Sequence, residues 1–361
     1  RLSRPAGDEF IIAVSNLSDR GAQSIAQEVM DRLSSLVIED GSLVHLQASI
    51  GIAMFPDHGK SPEALLSHVD TAMREAKSLG KNRFVFFTKK IAQRARTRTH
   101  IESTLRDALI HSQFKLLFMP LYDIGKGRYV GAEVLIRCTH PEMNGIGPDQ
   151  FIPIAEEYGL IREIDSWVIE EAFTQFASLP EERRNQQTLA INISAVELLS
   201  YQFVQWFDGC LQRHGIAACQ IELELTETSL VNADETSIAN LQALKNLGVN
   251  LALDDFGTGY TAFNQLVKYP IDRLKIDQSF VAKIGSGKEN RLVDIILSLA
   301  EMYKMSVVGE GVETQQQLDY LAQHNCHLAQ GYLLHKPTDW DSYQQLYRPR
   351  KSSIERLTVS H

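Results

Sequence analysis

The chain has 361 residues, 44% hydrophobic and 22% charged, a globular composition long enough for two domains or one domain with a sizeable appendage. Its formal net charge of −9 argues against a general nucleic-acid coat protein, so no DNA or RNA partner is expected; a small anionic ligand held by metal ions or a few placed cations remains open. Cys138, Cys210, Cys219 and Cys326 include no CxxC pair and read as thiols of a reducing compartment, and no apolar run approaches the roughly 20 residues of a membrane span. The chain therefore reads as cytoplasmic. It lacks a first methionine and begins inside a motif, so an upstream sensory domain or membrane anchor of a longer parent would precede residue 1.

In chain order, "GDEFIIAVS" reads as a strand entered from a turn. "GAQSIAQEVMDRLSSLV" carries apolar residues at helical spacing, and "LVHLQASIGIAMFP" alternates as a strand does. "SPEALLSHVDTAMREAKSLG" is a marked helix: Ser61 caps it, Pro62 suits its first position and Gly80 stops it. Leu65, Val69, Ala72, Met73 and Ala76 then share one face. These elements make a first domain over residues 1–88. Residues 89–113 predict a connector helix whose basic front reads as a solvated face.

Residues 114–340 alternate regularly. Eight short apolar runs recur: "FKLLFMPL", "YVGAEVLIR", "TLAINIS", "QIELELTE", "NLALDDF", "IDRLKID", "SVVGEGV" and "LAQGYLL". Helix-like segments lie between them, which predicts an α/β protein with a (β/α)₈ TIM-like barrel whose active site sits at the C-terminal ends of the strands. Residues 341–361 form a C-terminal tail that begins as a helix and ends disordered.

Nearly every strand after the first delivers a polar group to that rim: Glu133, Asn192, Glu224 with Glu227, Asp254 with Asp255, Lys275 with Asp277, Glu310 with Glu313, and Gln330. Taken singly, each could cap a helix or pair with a lysine. Converging in one bowl, six or so carboxylates would repel by several kcal/mol per close pair, and one lysine cannot offset them. Divalent cations can. An oxygen-rich set without His or Cys points to Mg²⁺ or Mn²⁺ rather than zinc. Two adjacent aspartates suit two cations, one carboxylate bridging and its neighbour serving the second, as in-line displacement at phosphorus requires.

At this point the barrel resembles an EAL-type cyclic di-GMP phosphodiesterase domain, through "GAEVLIR", "HPEMNGIGPDQFIPIAEEYGLI", "NIS", "ELTE", "DDFGTGY", "RLKID", "GEGVET" and "QGYLLHKP" in order. Residues 1–88 resemble the C-terminal half of an α+β GGDEF domain through "RPAGDEF", "ASIGIAMFP" and "AKSLGKNRF". The resemblance implies hydrolysis of cyclic di-GMP to linear pGpG, with two Mg²⁺ or Mn²⁺ ions per active site and a homodimer formed through the EAL domain. By motif, it assigns metal contacts to Glu133, Asn192, Glu224, Asp254, Asp255 and Glu310. It assigns catalytic roles to Glu133, Lys275 and Glu310, and substrate contacts to Leu135, Arg137, Asp277 and Gln330. Glu227, Gly257, Gly259 and Glu313 would position the loop after the fifth strand.

Several positions depart from the family pattern. The signature triplet is Glu-Val-Leu, Cys138 stands where tryptophan is common, Gly309 where alanine is common, and Met119 replaces a glutamine that contacts substrate. Ala6 replaces the first glycine of the GGDEF signature, and the upstream half of that domain is absent from this chain, which is therefore not expected to make cyclic di-GMP. A catalytically weak or inactive EAL domain acting as a cyclic di-GMP receptor is the alternative, with an unrelated metallo-hydrolase on the same barrel as a third.

Overall fold

The computed structural model describes every residue except 6, 38–42, 232–233, 258–267, 286–290 and 347–361. Ala6, Gly259 and the end of the predicted tail lie outside the described residues. The chain forms two compact units, Arg1–Ile101 and Glu102–His361, and the division falls within one helix, Lys89–Ile110.

In the first unit the helix Pro62–Ser78 starts as its sequence dictates: the Ser61 hydroxyl accepts from the Ala64 N–H at 3.3 Å, and Pro62 takes the first position. Ala72 and Ala76 are buried on its inner face. That face lies on the strand Ile50–Ile52, which pairs in parallel with Phe84–Phe86. A Cβ at Gly51 would come within 2.1 Å of the Val69 carbonyl oxygen, so only glycine lets helix and strand approach this closely.

The second unit is a closed barrel of eight strands: β1 (Phe114–Asp123), β2 (Arg128–Cys138), β3 (Thr188–Asn192), β4 (Ile221–Thr226), β5 (Asn250–Phe256), β6 (Arg273–Ile276), β7 (Ser306–Gly309) and β8 (Leu328–Ala329). They follow chain order around the wall. From β2 to β8 every pairing is parallel, as the alternating pattern predicts. The first strand corrects that pattern, because β1 runs antiparallel to both β2 and β8. Only residues 124–127 join β1 to β2, too few for a crossover, so the chain turns back through a glycine-containing hairpin.

Ala132, Leu189, Leu223, Leu251, Leu274 and Val307 are fully or almost fully buried strand residues, and helices such as Ile161–Ala177 and Arg291–Met302 cover the outside. The strand ends of β2 to β8 open on one rim.

Candidate active site

Two strands carry charge into the barrel interior. On β4, Glu222 and Glu224 alternate with Leu223 and Leu225; on β6, Arg273 and Lys275 alternate with Leu274 and Ile276. Period-two alternation sends each charged pair to one face. The lower pair, Glu222 and Arg273, closes at 2.7 Å, and the upper pair, Glu224 and Lys275, also at 2.7 Å. The sequence signal for the lower pair is the same alternation, since Glu222 and Arg273 stand two residues before Glu224 and Lys275, respectively.

Lys275 is the hub of the upper level. It is 1% exposed, and its ammonium pairs with Glu224 at 2.7 Å, Glu310 at 2.8 Å, Asp254 at 3.1 Å and Glu133 at 3.3 Å. Two amides complete the ring. Asn192 Nδ2 donates to Glu133 Oε1 at 2.9 Å, and Gln330 Nε2 donates to Glu133 Oε2 at 2.7 Å and to Glu310 Oε1 at 3.0 Å. Five strands and the segments following β7 and β8 thus converge on one point.

The electrostatics report an excess of negative charge. Burial and the Glu133 charge push the Glu224 carboxyl well above its ordinary value, despite Lys275. Burial, opposed by Lys275 and helped by Asp254 and Glu133, pushes Glu310 up to about 8. Asp255 is pushed up to about 6 by partial loss of solvent, then by Asp254 and Asp277. Glu133 is held low: burial raises it, but Lys275, Gln330 and Asn192 together outweigh burial. Lys275, though buried, is held well above its usual value by the acids around it.

This donor set fits divalent cations. Glu133, Glu224 and Asp254 each offer an oxygen within 4.8 Å of the others, and so do Asp254, Asp255 and Glu310. Asp254 belongs to both groups. The donors are hard oxygens, and one ammonium cannot neutralise them all.

Adjacent strand residues normally face opposite sides, yet Asp254 and Asp255 both reach this cluster. The register explains it. Leu253 pairs with Leu274 and Phe256 with Ile276, so β5 holds one more residue than β6 across the interval. That is a bulge, and Asp255 sits in it with φ +55, a left-handed conformation that aspartate tolerates better than most residues. The Asp255 N–H donates back to Asp254 Oδ1 at 3.0 Å.

Gly257 follows with φ +97, and its N–H donates to Glu227 Oε2 at 3.2 Å. A Cβ there would press on the Phe280 ring at 3.1 Å. Glu227 is buried at the start of the helix Glu227–Val231, directly after β4. It therefore ties the end of β4 to the turn that carries the aspartate pair. Glu227→Ala is expected to lower turnover of the substrate proposed below by about 10²-fold, the cost of misplacing a catalytic group by roughly 1 Å. Steady-state rates at saturating metal measure this, and a rate equal to wild type would leave Glu227 without a positioning role.

The remaining predicted residues are less tightly drawn in. Leu135 and Arg137 follow Glu133 on the same face of β2 and are half-buried; the Arg137 guanidinium donates to the Ile136 carbonyl at 2.8 Å. Asp277 caps the short helix Gln278–Val281 by accepting from the Ser279 N–H at 3.0 Å. Glu313 is exposed, and its N–H donates to Gln317 Oε1, which caps the helix Gln315–Gln323; no hydrogen bond or ion pair joins it to the cluster among the described residues. Met119 stands opposite Glu133 across β1 and β2, buried on the same face.

A closed barrel whose strand ends gather acids around a buried lysine is a site that divalent cations fit. The chain belongs to the EAL domain family, which matches residues 102–337, and residues 1–83 match the diguanylate cyclase GGDEF domain. It is 34% identical over 348 residues to the cyclic di-GMP phosphodiesterase NbdA of Pseudomonas aeruginosa, covering 96% of this chain and 44% of that protein. It is also 34% identical over 349 residues to the cyclic di-GMP phosphodiesterase PdeR of Escherichia coli, covering 96% of this chain and 52% of that one. The chain thus spans about half the length of these curated relatives. Among solved structures, the PaMucR phosphodiesterase in its c-di-GMP complex aligns with a TM-score of 0.63 and 31% identity, over 68% of this chain and 99% of that one.

Proposed function

We propose that the barrel is a metal-dependent phosphodiesterase that hydrolyses cyclic di-GMP to linear pGpG, controlling a bacterial second messenger. The observation that carries this reading is the double use of Asp254, shared by two carboxylate triads around one buried lysine. Relatives named as cyclic di-GMP phosphodiesterases support the substrate.

In this reading Glu133, Asn192, Glu224 and Asp254 would hold one Mg²⁺ or Mn²⁺, and Asp254, Asp255 and Glu310 would hold the other. When bound, such ions lower the pKa of a water and offset charge developing on the phosphate. The chain's own residues do the rest. Lys275 keeps its proton and presents a fixed, desolvated cation, more effective than one in water. Gln330 holds Glu133 and Glu310 at a set separation. Arg137 offers a forked donor to a substrate phosphate, with Leu135 and Asp277 beside the path. A cytoplasmic site of action, a homodimer through the EAL barrel and an upstream sensory domain complete the reading by family resemblance. Among the described residues no helix is long and apolar enough to cross a membrane.

A non-catalytic receptor draws support from Met119 alone, an apolar side chain opposite Glu133. It is the weaker reading, because the candidate metal ligands are all present.

Incubation with cyclic di-GMP and Mn²⁺, followed by chromatography, is expected to yield pGpG; tight binding without pGpG would overturn the hydrolase reading. Replacing Mn²⁺ by Ca²⁺ is expected to cut the rate by about 10²-fold, because calcium's longer, more flexible coordination misplaces reacting groups. Undiminished turnover in calcium would count against two tightly specified ion positions.

A further inference from the structure

The helix Ile161–Ala177 carries Asp165 against the outside of the barrel, 7% exposed. A buried carboxyl requires partners. Both of its hydrogen bonds come from Ser194: the backbone N–H donates to Asp165 Oδ2 at 3.2 Å and the hydroxyl to the same oxygen at 2.6 Å. The neighbouring charges that bear on Asp165, Glu197 and Glu156, are both acidic. A carboxyl kept in such a place costs stability that an apolar side chain would not.

What it holds is the corner where β3 becomes the helix Ala195–Leu198. Ser194 is the cap of that helix and lies two residues beyond Asn192. Asn192 is exposed, so packing does not fix it. Its direction depends on the backbone around it. It stands level with Glu224 in the β3–β4 register, and the next residue's N–H, that of Ile193, donates to the Glu224 carbonyl at 3.0 Å. One residue further on the backbone is held by Ser194, and Ser194 by Asp165. The Asn192 amide can then reach Glu133 Oε1 at 2.9 Å.

We propose that Asp165 is a positioning residue for the metal-facing end of β3, clamping Ser194 so that Asn192 is aimed at the site. This rests on the reading of Asn192 as a metal contact. Groups that orient metal ligands from behind change metal affinity by about 10–100-fold when removed. The clamp uses one acceptor oxygen, not a charge, so an amide can replace it.

The experiment measures Mn²⁺ affinity by calorimetric titration without cyclic di-GMP, alongside thermal midpoint and turnover, for the full chain. Asp165→Leu is expected to bind Mn²⁺ about 10-fold more weakly, while Asp165→Asn stays within about twofold of wild type. A folded Asp165→Leu with wild-type affinity overturns the proposal, and so does an Asp165→Asn that loses as much as Asp165→Leu. If Asp165→Leu does not fold, Ser194→Ala decides: it removes the 2.6 Å bond alone, and about threefold weaker binding supports the clamp while unchanged binding overturns it. Wild-type protein that binds Mn²⁺ without producing pGpG would sink the hydrolase reading only, and the variant affinities would still judge Asp165. Absence of Mn²⁺ binding by wild type would overturn both.

Discussion

Replacing Lys275 by methionine is expected to lower cyclic di-GMP turnover by about 10³-fold, the scale of losing a preorganised charge in a dry site. It is also expected to destabilise the metal-free protein by about 3–5 kcal/mol, as when one partner of a buried ion pair is removed. The reason is the company Lys275 keeps. Its ammonium touches Glu133, Glu224, Asp254 and Glu310, and it is itself almost wholly buried. Methionine preserves most of the length and an apolar stem but leaves those acids facing one another. They can respond only by taking up protons or by separating, and Glu224 and Glu310 are already pushed upward. Divalent cations offer a third response. Added Mn²⁺ should therefore raise the thermal midpoint of the variant more than that of wild type. Calorimetry with and without Mn²⁺, together with pGpG formation, measures both effects. Normal turnover in the variant would remove Lys275 from the chemistry, and an unchanged midpoint would mean that the four contacts carry no net energy.

Much of this site is legible in the sequence because strands alternate. "IELELT" and "RLKI" announce charged residues on the inner face of a wall that is otherwise leucine and isoleucine, and acids at the rim of successive strands imply convergence once the barrel is inferred. The same alternation is blind to the bulge. Nothing in "NLALDDF" states that β5 slips by one residue against β6, because the slip depends on the partner strand. Sequence alone therefore gives two adjacent aspartates and no reason for both to face inward; the left-handed Asp255 supplies it. The reversed first strand was within reach, since four residues rich in glycine between β1 and β2 spell a hairpin. The Asp165–Ser194 clamp was not: its partners lie 29 residues apart on a helix and a turn, and no periodic pattern links them. Glu313 is legible only by resemblance: that places it with the loop-positioning residues, and the described structure adds that it is exposed and that its N–H donates to Gln317 Oε1 at the start of the next helix.

Asp254→Asn tests the shared carboxylate directly and is expected to reduce turnover by about 10³-fold, a loss of similar scale to that of Lys275→Met but of different origin. Asparagine keeps the shape of aspartate and keeps an oxygen for the Asp255 N–H, so the bulge is preserved. Removing one negative charge leaves Lys275 with Glu133, Glu224 and Glu310, still an excess of acid. The metal-free thermal midpoint should therefore hold or rise, where that of Lys275→Met falls. What the variant loses is the carboxylate common to both triads, so Mn²⁺ affinity should drop for every ion bound. Asp255→Asn is the comparison. It touches one triad only, and asparagine tolerates the left-handed backbone, so it should weaken a single ion and leave the Glu133–Glu224 side intact. Calorimetric Mn²⁺ titration of the two variants separates the cases. Equal losses in both, or a loss confined to one ion in Asp254→Asn, would show that Asp254 does not bridge.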